Sequence, residues 1–350
     1  MIVLPQIPHE VRPVCPHFGS CGGCQHQDIS YHEELRNKES GLVSLLTQKV
    51  SISLDAFSPI VPSPQIYHYR NRLDLKLVKR RDGRVDIGFS PERKAPVLEI
   101  EACLIAMEKI SRFIPRLRLE ASGKIPKDYR MANLTVRCGD GGDVRWGGIG
   151  RRSLRLAEAD HFYTDILGHR IYYSLDTFFQ ANLSILPELG RIIRALPVWD
   201  KEAVFFDLYG GVGLFGILVH DLVARVVNIE ENVHAVRIAE RNVRDNGLNN
   251  VEVLPGRIED VLPKMLNNAK SADNIVMIDP PRAGLSDKAI RLLNSLERAR
   301  HLLYLSCNPQ SLAENLVGLS QGHWATKFVQ PLDFFPRTRH VETLVLLQRN

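Results

Sequence analysis

The sequence predicts an α/β fold: an open, doubly wound sheet with a second, smaller β-rich domain ahead of it. Three observations carry this. Short apolar runs at strand length (residues 203–208, 226–230, 251–254, 275–279 and 302–306) alternate with helix-like stretches such as 232–245 and 287–299, and that rhythm implies a parallel sheet covered by helices on both faces. A glycine-rich turn, Asp207-Leu208-Tyr209-Gly210-Gly211-Val212-Gly213-Leu214-Phe215-Gly216, follows the first run. Upstream, apolar and polar residues alternate with a period of two, the mark of half-buried strands.

Taken in order, the chain opens on three crowded cysteines, Cys15, Cys21 and Cys24. Ser30-Tyr31-His32-Glu33 has the form of a capping box, and Leu35, Leu42, Leu45 and Leu46 follow at helical spacing, which predicts a helix over 31–48. Pro59, Pro62 and Pro64 break regular structure. Leu73, Leu75 and Leu77 then alternate with Asp74, Lys76 and Val78, and the Asp82-Gly83 turn leads to Val85, Ile87 and Phe89, which is a hairpin pattern. Strand-like pieces recur at 134–138 and 170–174, and a last strand is expected at 341–348. The expected division is 1–65 for the cysteine loop and helix, 66–170 for a basic β-rich module, and 171–350 for the α/β domain.

Composition narrows the class. Hydrophobic residues make 44% of the 350 and charged residues 24%, which argues against extensive disorder. No apolar run approaches the roughly 18 residues of a membrane span, and Met1-Ile2-Val3-Leu4-Pro5 lacks the form of a secretory leader. A cytoplasmic monomer without membrane contact is the expectation. Residues 66–94 hold nine Lys/Arg against four Asp/Glu, an excess equal to the +5 of the whole chain. A localised basic stretch is what phosphate contacts require, although a solvated charged face reads the same way.

Gly211-x-Gly213-x-x-Gly216 permits a tight turn and close approach of backbone to a ligand, and Glu230 closes the second strand where ribose hydroxyls can be met. Dinucleotide and S-adenosylmethionine enzymes share both features. The fourth and fifth strands separate them. Asp279-Pro280-Pro281-Arg282 and Ser306-Cys307-Asn308-Pro309 both fall at strand ends that face one crevice. Hydride transfer has no evident use for a cysteine there. Methyl transfer to a pyrimidine carbon does: a thiolate at C6 turns C5 of uracil into an enolate-like nucleophile, and a base must then remove the C5 proton. Cys307 is the candidate thiolate, and Arg337-Thr338-Arg339-His340-Val341-Glu342 offers the carboxylate.

Phe178-Phe179-Gln180-Ala181-Asn182, the Asp-Leu-Tyr-Gly-Gly turn, Asp279-Pro280-Pro281-Arg282, Ser306-Cys307-Asn308-Pro309 and Asp333-x-Phe335-Pro336-x-Thr338-x-His340-Val341-Glu342 occur in one order. In this the sequence resembles the RNA 5-methyluridine methyltransferases, which act on tRNA or 23S rRNA. The resemblance implies a Rossmann-like S-adenosylmethionine methyltransferase sheet and an RNA substrate, with 23S rRNA favoured and tRNA next. By it, Gln180, Tyr209, Glu230 and Asp279 would bind S-adenosylmethionine, Cys307 would be the nucleophile and Glu342 the base. Two positions depart from it: relatives commonly carry Cys where Gly210 stands and some carry a polar residue where Leu214 stands. The N-terminal β-barrel of many relatives is expected to be missing, since 14 residues precede Cys15.

Cys15-x5-Cys21-x2-Cys24 can converge on one centre, with Cys103 or Cys138 available as a fourth thiol. A zinc site usually pairs two short Cys-x-x-Cys elements and this chain has one, whereas an iron–sulfur cluster tolerates uneven spacing. The resemblance implies a [4Fe–4S] cluster on Cys15, Cys21, Cys24 and Cys103, structural in role, with Cys138 left as a buried strand residue.

Overall fold

The protein is described by a computed structural model covering residues 11–91, 97–266 and 274–349; residues 1–5, read for a leader, and Arg93 and Lys94 of the basic stretch lie outside them. Ser30 caps the first helix as its sequence predicts, accepting from the Glu33 amide at 3.2 Å. Helix α1 (Tyr31–Val50) ends where Ser51 turns into left-handed conformation at φ 54°.

Next comes an antiparallel module built from β1 (Arg72–Lys79), β2 (Val85–Phe89), β3 (Leu98–Glu99), α2 (Glu108–Lys124), β4 (Met131–Cys138) and β5 (Val144–Gly147), with strand order β3-β2-β1-β4-β5. Leu73, Leu75 and Leu77 point to one face and pack on Ile110, Ile114, Leu117 and Ala121 of α2. That helix carries Pro115 in its interior, yet burial of its apolar stripe outweighs the lost hydrogen bond.

A hairpin of β6 (Phe162–Ile166) and β7 (His169–Tyr173) precedes the α/β layer, which contains α3 (Leu186–Ala195), β8 (Val204–Leu208), α4 (Leu214–Val219), β9 (Arg225–Glu230), α5 (Val233–Asp245), β10 (Val251–Pro255), α6 (Ile258–Leu266), β11 (Asn274–Ile278), α7 (Asp287–Asn294), β12 (Ala299–Ser306), α8 (Pro309–Ser320), β13 (Trp324–Leu332) and β14 (Glu342–Arg349). Helix α7 stops at Asn294, short of the expected 299, because Ala299 already pairs with Asn274 in the sheet. The seven-stranded order is β10-β9-β8-β11-β12-β14-β13. Strands β8 to β12 run parallel, but β14 is antiparallel to both β12 and β13. The sheet is therefore mixed, where the sequence pattern predicts a parallel one. The cause is local: the β13–β14 connection, residues 333–341, is too short for a crossover helix and must return antiparallel.

Along the central strands successive residues enter opposite cores. Phe205, Val226 and Met277 pack with α3, α4, α5 and the β6–β7 hairpin, while Phe206, Val227 and Ile278 pack with α1 and α6 to α8. Leu42 and Leu46 of α1 belong to the second core, so residues 31–50 share an interior with the α/β layer. The hairpin spanning residue 170 shares the first. Among the described residues no helix is long and apolar enough to cross a membrane.

Candidate active site

The crevice at the carboxyl ends of β8, β9, β11 and β12 gathers the predicted residues. After β8 the chain turns with Tyr209, Gly211 and Gly213 all at positive φ (57°, 54° and 87°). The turn is pinned by the Gly210 amide on the Ile229 carbonyl and by the Glu230 carboxylate, which accepts from Gly211 N at 3.0 Å and Asn232 N at 2.7 Å. Gly210 has no room for a side chain: a Cβ there would lie 2.0 Å from Asn228 Nδ2 and 2.9 Å from the Asp207 carbonyl. A side chain at 210 would require the Asn228 amide to move and the Asp207 carbonyl to give way. Tyr209 leans towards α6, and burial pushes its hydroxyl up to about 12, with the Glu259 and Glu231 charges adding to it. Leu214 is buried in the first core.

Two carboxyl groups form the floor. Asp207 accepts from Gly216 N at 2.9 Å through Oδ2, and its Oδ1 is buried without a hydrogen-bond partner among the described residues. Burial raises Asp207 to about 7. Asp279, just past β11, is raised to about 7 by burial and then by the charge of Asp207, against a 3.0 Å hydrogen bond from Gln180 Nε2. Gln180 itself is placed by the β-rich module. The Asn71 side chain donates to its carbonyl at 3.0 Å, and the buried guanidinium of Arg137 donates to the carbonyls of Ser174, Thr177 and Phe179. Buried carboxyl groups without a cation beside them ionise more readily next to a positively charged ligand, which would therefore suit this floor.

On the other side of Asp279 stands the thiol. Ser306 at the end of β12 pairs with Thr343, so Cys307 and Glu342 occupy the next opposed positions. Glu342 is buried, 2% exposed, and held well above the ordinary carboxyl value by burial and then by Asp279, with Arg282 pulling it down. The Cys307 thiol is pushed up to about 11 by burial, then by Glu342 and Asp279, while Arg282 favours its ionised form by charge and by a hydrogen bond. Sequence reasoning gave Arg282 no role; its place at the end of Asp279-Pro280-Pro281 was the available signal. Asn308 Nδ2 and Ser311 Oγ donate to the Arg282 carbonyl at 3.0 and 3.2 Å, tying that turn to the Cys307 turn.

The other cysteines lie elsewhere. Cys15, Cys21, Cys24 and Cys103 line one cavity of about 240 Å³ between the N-terminal loop and the β-rich module, with Arg70, Asp74 and Phe89 in its wall. Burial drives the Cys24 thiol up to about 12, and Cys103, Cys15 and Cys21 each add to the shift. Cys138 is fully buried on β4, in the α2 core.

Against known proteins, the family model of tRNA (uracil-5-)-methyltransferases matches residues 164–350. Uncharacterized RNA methyltransferases from Caldanaerobacter subterraneus and Protochlamydia amoebophila are 29% and 28% identical, over 99% and 97% of this chain and 87% and 91% of theirs. The crystal structure of Pyrococcus abyssi tRNA (uracil-54, C5)-methyltransferase in complex with S-adenosyl-L-homocysteine superposes with a TM-score of 0.69 at 24% identity, covering 93% of this chain and 85% of that one. The class is settled by these: the fold is that of an S-adenosylmethionine-dependent methyltransferase, and the protein is an enzyme acting on RNA. More narrowly, the chain belongs to the tRNA (uracil-5-)-methyltransferase family.

Proposed function

We propose that the protein transfers a methyl group to C5 of one uridine in RNA through a covalent adduct on Cys307. The observation that carries this is the opposition of Cys307 and Glu342 beside Arg282. S-adenosylmethionine, when bound, supplies a methyl group on a sulfonium. The residues fit such a ligand: Asp207 and Asp279 are buried acids, one with an unsatisfied oxygen, facing a turn whose Gly211 has open space around it. Gln180, Tyr209, Glu230 and Asp279 would hold it.

Loss of the Cys307 proton to solvent frees a sulfur lone pair that bonds C6, and the C5=C6 electrons move to C5 as an enolate. C5 would then attack the methyl carbon that bound S-adenosylmethionine supplies, the sulfur–methyl bond breaking with its electrons kept on sulfur so that S-adenosylhomocysteine leaves. Glu342 removes the remaining C5 proton, and its electrons reform the double bond as the sulfur–C6 bond breaks and Cys307 is released. A base of raised proton affinity, buried next to the nucleophile, suits this last step. The division at 65 and 170 belongs to this reading as one of roles along the chain, with the β-rich module as RNA platform, while α1 and the β6–β7 hairpin pack with the α/β layer. The protein would act in the cytoplasm as a monomer.

A [4Fe–4S] cluster on Cys15, Cys21, Cys24 and Cys103 belongs to the same proposal. Among the described residues no three His, Cys, Asp or Glu side chains stand close enough to hold a single ion, whereas four thiols around one cavity leave room for a larger group. A single tetrahedral zinc would need sulfurs at about 2.3 Å from one point. The cluster would bind the N-terminal loop to the β-rich module and carries no step of methyl transfer. By its resemblance to cluster-bearing relatives, 23S rRNA is the first reading of the substrate, and the family's description makes tRNA the second.

The test is a denaturing gel with labelled 23S rRNA fragments and tRNA. Glu342→Gln should accumulate a slow-migrating protein–RNA adduct that Cys307→Ala cannot form. Normal turnover by Cys307→Ala would end the covalent reading, and the RNA that forms the adduct identifies the substrate.

A further inference from the structure

The β13–β14 loop is held firmly from beneath. Lys38 Nζ donates to Asp333 Oδ1 at 2.7 Å and to the Phe335 carbonyl at 3.1 Å, and the Tyr31 hydroxyl donates to Asp333 Oδ2 at 2.8 Å. The Tyr69 hydroxyl donates to the Pro336 carbonyl at 3.0 Å, and Glu34 accepts from Arg337 N at 2.7 Å. Thr338 Oγ1 accepts from His340 N at 3.2 Å while donating to the Phe335 carbonyl at 2.8 Å. This leaves the His340 ring fixed against the edge of Phe335, with centroids 6.1 Å apart, and its Nε2 lies 3.5 Å from Arg282 Nη2. Arg282 in turn lies beside Cys307: its charge favours the ionised thiol, and its carbonyl accepts from the side chain of Asn308, the next residue in the chain.

We infer that His340 is a positioning residue for the methyl transfer: its ring nitrogen holds the Arg282 guanidinium against Cys307, where the cation favours thiolate over thiol. This rests on the reading of Cys307 as nucleophile. The need is electrostatic. Glu342 and Asp279 both oppose ionisation of the buried thiol, and Arg282 is the cation that counters them. Arg282 is solvent-exposed along much of its length, so without a lateral anchor its flexible side chain would lose considerable rotamer entropy on adopting this pose. A neutral imidazole can accept from the guanidinium; a protonated one cannot. His340 stays neutral because burial, and then the facing cations Arg282, Arg339, Lys38 and Arg70, lower it to about 4.

The test is the rate of iodoacetamide alkylation at Cys307 in the full-length protein, read by peptide mass spectrometry so that the other cysteines do not interfere. Arg282→Leu and His340→Leu should each slow the reaction about tenfold near pH 8, the effect of raising the thiol by about one pH unit. His340→Gln, whose amide oxygen can accept the same bond, should stay near the wild-type rate. A wild-type rate in His340→Leu, or in Arg282→Leu, overturns the inference. So does a His340→Gln as slow as His340→Leu, since the ring would then act by packing. Retained methylation in Cys307→Ala would instead sink the nucleophile reading, and the role with it.

Discussion

Lys38 and Asp333, 295 residues apart in the chain, form a buried ion pair at 2.7 Å. The same ammonium meets Glu34 Oε1 at 2.7 Å. One cation therefore bridges two interior carboxyl groups, with Arg337 also 3.7 Å from Glu34, and joins the first helix to the loop before the last strand.

Lys38→Met should cost about 3–5 kcal/mol of stability, because it strands buried charge that its volume alone cannot compensate. Urea unfolding near neutral pH measures this. A loss below about 1 kcal/mol would place the pair in effective contact with water.

Asp207 gives a pH signature of unusual sign. Burial raises it from 3.8 to about 7, so between those values the folded state binds more protons than the unfolded one. Its contribution is complete below about pH 4 and is lost as the pH rises through 7. Asp207→Asn should make the ligand-free protein about 1–3 kcal/mol more stable at pH 8, change little at pH 4, and weaken S-adenosylhomocysteine binding. Denaturant titrations of both proteins at the two pH values decide it; curves that stay parallel would give Asp207 an ordinary carboxyl value.

Gly210→Ala should destabilise by about 1–3 kcal/mol through overpacking against Asn228 and the Asp207 carbonyl. Adding Asn228→Ala should recover part of that loss, and a double-mutant cycle reads the coupling. Strictly additive costs would show that the side chain at 228 is not what excludes Cβ.

Within the basic stretch, Arg72 is paired with Asp74, and Arg80 and Arg84 share buried Asp86. Lys76, Lys79 and Arg81 are the better candidates for meeting phosphate. Changing two of them to Ala should shallow the salt dependence of RNA binding by about one unit of slope for each phosphate no longer neutralised. An unchanged slope returns this face to simple solvation.

Protein purified without oxygen should be brown, with about four irons per chain. Cys103→Ser should bleach it, and Cys138→Ser, altering a thiol packed among α2 side chains, should not. A colourless protein carrying one zinc would replace the cluster assignment.

Much of this was legible in the sequence for a physical reason. Strands such as β8, β11 and β12 are buried on both faces and read as continuous apolar runs, and the turn after β8 needs glycine at φ 54° and 87°. Cys307 and Glu342 stand out because the chemistry demands a thiol and a base. What stayed hidden depends on distant partners. Lys38 looks like solvent-facing helix until Asp333 arrives; Arg137 is a buried cation whose terminal nitrogens donate to three carbonyls. Pro331 with Lys327 and Gln330 disguises β13, which tolerates them at the sheet edge.

The packing of α1 beneath the β13–β14 loop also sets an order of assembly. Helix α1 is synthesised early, yet it packs on α8, and its Lys38 awaits Asp333. At about 5–20 residues per second, the intervening 295 residues take roughly 15–60 s to emerge. During translation the amphipathic first helix must wait, its apolar side uncovered, while the antiparallel module after it can fold within its own span. The seven-stranded layer can close only when the C-terminal hairpin is complete. A nascent chain stalled after β12 should therefore hold a folded β-rich module and an exposed α1, a natural client for a holding chaperone.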